Sequence, residues 1–101
     1  MERIETTILR NLVYEEEYSR KVIPFIQPDY FEDRKEKIIF EEIISFIVKY
    51  DSSITIEALN IEVDNRTDLT DDELKGIKDT TTLLKLRRLN QDSAKKTNKS
   101  K

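Results

Sequence analysis

Both prolines of this 101-residue chain stand in one short stretch, Pro24–Pro28 of "PFIQP", and its single glycine is Gly76. A chain of strands needs frequent tight turns, and those turns draw on Gly, Pro and Asn-Gly pairs. With so few breakers the backbone must run long distances without interruption, which predicts helices joined by short loops. The one forced bend is the elbow Pro24 to Phe31, and it leads into the most apolar segment, "KIIFEEIISFIVKY". The fold class expected is all-α: a small orthogonal bundle of about five helices, with a disordered C-terminal tail.

Periodicity places the helices. Residues 3–14 carry Ile4, Ile8, Leu9, Leu12 and Val13 on one side at helical spacing. Tyr14, Tyr18 and Val22 repeat four apart in a second helix, which Pro24 must stop near Ile23. The elbow side chains Phe25, Ile26, Tyr30 and Phe31 are too apolar for a free loop and are expected to fold back onto the helices. A third helix over 33–50 starts at Asp33, whose carboxylate can accept from the free amides of the first turn. Its apolar residues form two stripes, Ile39–Ile43–Phe46–Tyr50 and Phe40–Ile44–Ile47, wide enough to touch neighbours on two sides. A loop at 51–54 leads to a fourth helix over 56–64, with Thr55 as N-cap and Leu59 and Val63 inward. In "TDDEL" at 70–74, Thr70 and Glu73 form a capping box that opens a fifth helix. Leu74, Ile77, Thr81 and Leu84 would line its inner face. The core expected is Ile8, Leu12, Phe31, Ile39, Phe40, Ile43, Ile47, Leu59, Leu74 and Ile77.

Composition narrows the chemistry. The chain has no Cys and no His, which removes thiol nucleophiles, disulfides, Cys/His zinc sites and the usual general base. A G-x-x-x-x-G-K-[ST] phosphate loop is impossible with one glycine. The acidic runs Glu15–Glu17 and Asp71–Glu73 stand at helix starts, where the helix dipole and solvation account for them without a metal. No catalytic, cofactor-binding or metal site is expected, and no cofactor. No apolar run reaches the length of a membrane span, so a cytoplasmic protein without membrane contact is expected.

The formal charge of −3 hides an asymmetry: residues 1–86 carry 12 Lys/Arg against 20 Asp/Glu, a balance of −8, whereas residues 87–101 carry +5. An acidic body disfavours phosphate-driven binding of nucleic acid, so DNA contact by the folded part should be weak or indirect. The chain divides into a helical domain over 1–86 and a basic, polar tail over 87–101 that lacks the apolar residues to order itself. The four tyrosines, Tyr14, Tyr18, Tyr30 and Tyr50, suit either the rim of the core or a partner interface, because the ring is apolar and the tip polar.

The order of segments resembles a known family. An opening helix ends in "LV", a second runs into "VIPFIQPDYF", and "KIIFEEIISFIVKY" follows. Then comes "SITIEALNIEV", succeeded by the acid-capped "TDDELKGI". Together these resemble the N-terminal domain of DnaB-type replicative helicases, in the form of T-even-like bacteriophages, over about residues 4–84. Tyr30 and Phe31 match the aromatic pair that ends the family's loop, and Ile39 and Phe40 match the "IF" pair of the next helix. The resemblance implies a non-catalytic tier of a hexameric ring, acting as collar and as docking platform for primase or a helicase loader. Self-association and contact with the chain's own helicase motor, if it is part of a longer chain, follow from the same resemblance. In the family a separate RecA-like domain hydrolyses nucleotide, and these 101 residues contain no such motor. After Leu86 the family continues into a helical hairpin, where this chain has a lysine-rich tail. Two other roles fit the residues: a stand-alone phage interaction protein derived from this domain, and a small nucleic-acid-binding protein acting through its tail.

Overall fold

The computed structural model describes the backbone of residues 3–99 and the side chains of residues 3–89. Five helices follow in order: α1 (Ile4–Tyr14), α2 (Glu16–Val22), α3 (Arg34–Tyr50), α4 (Ile56–Asp64) and α5 (Asp71–Lys99). Two 3₁₀ turns, Ile23–Phe25 and Pro28–Tyr30, make the elbow between α2 and α3. No strand occurs among the described residues, and the architecture is all-α.

Local chemistry sets the boundaries. Glu15 adopts an extended conformation that breaks α1 from α2. The free carbonyl of Leu12 is taken up by the buried Ser19 hydroxyl at 2.8 Å, which joins the two helices across the break. Pro24 converts the end of α2 into a 3₁₀ turn, since proline has no N–H to continue the ladder. Asp33 caps α3 by accepting from the Lys35 and Glu36 amides at 2.7 and 3.4 Å. Thr55 caps α4 by accepting from the Ala58 amide at 3.0 Å. At α5 the Thr70 hydroxyl accepts from the Glu73 amide at 3.1 Å, while the Glu73 carboxylate accepts from the Thr70 amide at 3.0 Å. Asp51, at the end of α3, takes left-handed dihedrals (φ 52°) and donates its amide to the Ile47 carbonyl.

The core is one cluster. Ile8, Leu9, Leu12 and Val13 of α1 meet Ile38, Ile39, Phe40 and Ile43 of α3, Leu59 and Val63 of α4, and Ile77 and Leu84 of α5. Phe31 enters from the elbow and tilts against Phe40, with ring centroids 5.1 Å apart. Ile47 and Leu74, expected in the core, are half-buried against its edge. Helix α3 touches α1, α4, α5 and the Pro28–Tyr30 turn, and Ile38, Ile39 and Phe40 of its first half are buried. Its second half opens: Ile44, Phe46 and Ile47 are half-buried, and Val48 and Tyr50 are exposed. The polar Thr81 is buried within the core face of α5, its hydroxyl 2.9 Å from the Lys78 carbonyl and 3.0 Å from Asn60 Oδ1.

Three expectations need correction. Ile4 is exposed, because the packed part of α1 starts one turn later. The contact to α3 at that end is made instead by Arg3, which holds the Glu36 carboxylate with two bonds of 2.9 and 3.2 Å. Phe25 does not fold back: it sits in the first 3₁₀ turn and is 85% exposed. Tyr50, placed on an inward stripe of α3, is more than half exposed. Helix α5 is described as far as Lys99. At 1.5 Å per residue α5 spans about 43 Å and accounts for the molecule's 50 Å long axis.

Candidate docking surface

The elbow and the middle of α3 flank an open apolar groove of ≈ 460 Å³. Ile23, Pro24, Ile26 and Pro28 make one wall, and the rigid prolines hold that wall off the helix. The other wall is α3, with the edge of Phe40 as floor and Ile44, Ser45 and Glu41 along the rim. One turn beyond Ile44 the same stripe of α3 continues into Val48, which is 78% exposed. Phe25, on the elbow, is 85% exposed. Exposed apolar side chains beside a groove of ligand-pocket size make this the candidate contact surface.

Glu41 is the ionisable residue in the groove's lining, and no Lys or Arg lines it. It lies 3.7 Å from Arg66, whose shorter bonds go elsewhere, to Glu42 at 2.9 Å and Asp68 at 2.8 Å. Arg66 thus ties the loop between α4 and α5 to α3. Its guanidinium holds the Asp68 carboxyl down to about 2, chiefly through their hydrogen bond. Burial pushes the Glu36 carboxyl above its usual value, and Arg3 opposes that shift.

A second opening, ≈ 350 Å³, lies where the end of α1, the start of α4 and α5 meet, lined by Tyr14, Ile54, Thr55 and Leu89 among others. Its cations are engaged: Arg88 bonds Glu15 at 2.7 Å and lies over the Tyr14 ring, and Lys85 bonds Glu57 at 3.3 Å. The Tyr14 hydroxyl is raised above its ordinary value by burial first and by Glu57 second.

The structure separates the four tyrosines. Tyr14 lines the second opening, and Tyr18 packs half-buried on the core. Tyr30 stands edge-on to Phe31 at 5.2 Å, and Tyr50 packs its ring on Phe46 at 4.6 Å. Among the described residues no ring contact joins two of them, and none of the four lines the elbow groove. Glu41, in the groove's lining, and Val48, one turn beyond Ile44, are residues that periodicity did not single out. The available signal was Val48 four residues after Ile44 on an already wide apolar face.

Among the described residues there is no cluster of His, Cys, Asp and Glu suited to a metal. No described helix is long and apolar enough to cross a membrane.

No family model matches the chain. Over 71 residues, 70% of its length, the chain is 35% identical to a DnaB-like replicative helicase of Enterobacteria phage T4. The match covers 15% of that protein, the size of one domain. The chain is a helical domain homologous to part of a phage DnaB-like replicative helicase.

Proposed function

We propose that this chain is the non-catalytic N-terminal assembly and docking domain of a phage replicative DNA helicase. Its work is to hold a neighbour in the helicase ring or to receive primase or a helicase loader. The observation that carries this reading is the similarity to a domain-sized share of the T4 helicase. The open apolar groove at the elbow supports it: a domain that only filled space would have no reason to leave that surface uncovered. The absence of a phosphate loop from the 101 residues fits a domain that leaves nucleotide hydrolysis to a separate motor.

Light scattering of the purified chain, alone and with the primase of the same replication system, tests it. The expected result is a defined complex with primase or a defined oligomer of the chain. The purified chain should also show no DNA-stimulated ATP hydrolysis. A monodisperse monomer that ignores primase and loader alike, or turnover of ATP that survives rigorous purification, overturns the reading.

A further inference from the structure

We infer that the elbow groove receives a basic amphipathic helix of a partner protein, with aliphatic residues between Ile26 and Ile44 and a Lys or Arg over Glu41. The inference rests on the docking role proposed above and names the chemistry of what docks. One wall of the groove is already a helix, and the prolines of the other wall fix its width before any partner arrives. A helix lying alongside α3 would present apolar residues at i, i+3 and i+4 to Ile26, Ile44 and Val48, burying the side chain that solvent now surrounds. An extended strand has no sheet edge here to pair with.

Charge selects among occupants. The rim carboxylate, Glu41, retains capacity for a second cation because Arg66 makes its shorter bonds to Glu42 and Asp68. Residues 1–86 carry a balance of −8, so a cationic partner is steered toward the surface. A nucleic acid backbone is repelled by it.

The test uses isotope-labelled full chain and two model peptides, an amphipathic helical Leu–Lys peptide and its Leu–Glu counterpart, titrated in turn. The Leu–Lys peptide should shift the amide signals of Ile26, Glu41, Ile44, Ser45 and Val48, and the Leu–Glu peptide should not. Glu41→Lys should weaken the Leu–Lys peptide about 5-fold, the size of one rim ion pair, and give the Leu–Glu peptide a measurable affinity. Unchanged signal dispersion in that variant shows that the fold is intact. Shifts spread evenly over the acidic surface, or equal response to both peptides, overturn the proposal. So do groove signals that move with chain concentration alone, which mean a second copy, or that move with single-stranded DNA. Failure of the peptide with primase still bound removes the groove and keeps the docking role. Peptide binding without any primase or loader complex does the reverse.

Discussion

Phe25 and Phe31 belong to one elbow and one residue type, yet Phe31 is fully buried and Phe25 is 85% exposed. The difference lies in the backbone. Phe31 has extended dihedrals just before α3 and faces the Phe40 ring. Phe25 closes a 3₁₀ turn in which the Ile26 amide bonds back to the Ile23 carbonyl, and that turn carries its ring outward. Hydrophobicity made both candidates for the core, and turn geometry decided between them. The inner edge of the elbow therefore joins the core, while the outer edge stands in solvent.

The largest effect should come from breaking the inner edge. Phe40→Ala removes the ring that Phe31 leans on and should cost about 3–5 kcal/mol by chemical denaturation. A cost below about 1 kcal/mol would mean that the two edges do not differ in kind. Tyr30→Ala samples the border, because its ring is partly exposed but edge-on to Phe31. The expected loss there is about 0.5–1.5 kcal/mol. Phe25→Ser, on the outer edge, should leave the denaturation midpoint within about 0.5 kcal/mol of the parent. A larger loss would place Phe25 in the fold after all.

The smallest effect separates packing from charge. Asp68 has its folded pKa lowered to about 2, so its stabilising contribution is present above the ordinary carboxylate range, about pH 4, and is lost as pH falls toward 2. Melting curves of Asp68→Asn should show a shallower fall across that interval than the parent. The Phe31–Phe40 contact, having no titrating group, contributes equally throughout. Parallel curves for the two proteins would remove Asp68 from the acid response.

Much of this architecture could be read from the residues in order. Asp33, Thr55 and the Thr70–Glu73 pair mark helix starts because capping is local: donor and acceptor lie within three residues. The interior of α3 is equally legible, since Ile39, Phe40 and Ile43 repeat with the helix period. The groove is not legible, because it exists only where two elements with separate sequence patterns face each other. The Arg66 junction is hidden for the same reason, its partner Glu42 lying 24 positions away. Ile4 and Tyr50 show the limit of periodicity: it tells which face of a helix is apolar, not where along its length the neighbours begin and end.

The place of Ile77, Thr81 and Leu84 in the core has a consequence in time. Leu9, Leu12 and Val13 emerge early in synthesis and can pair with Ile39 and Ile43 of α3, but α5 seals the cluster only about 40 residues later, roughly 2–8 s at ordinary elongation rates. During that interval the nascent chain carries an open apolar seam. The acid-capped start of α5, with its hydrogen bonds formed within a single turn, gives the last segment a helix ready to close it.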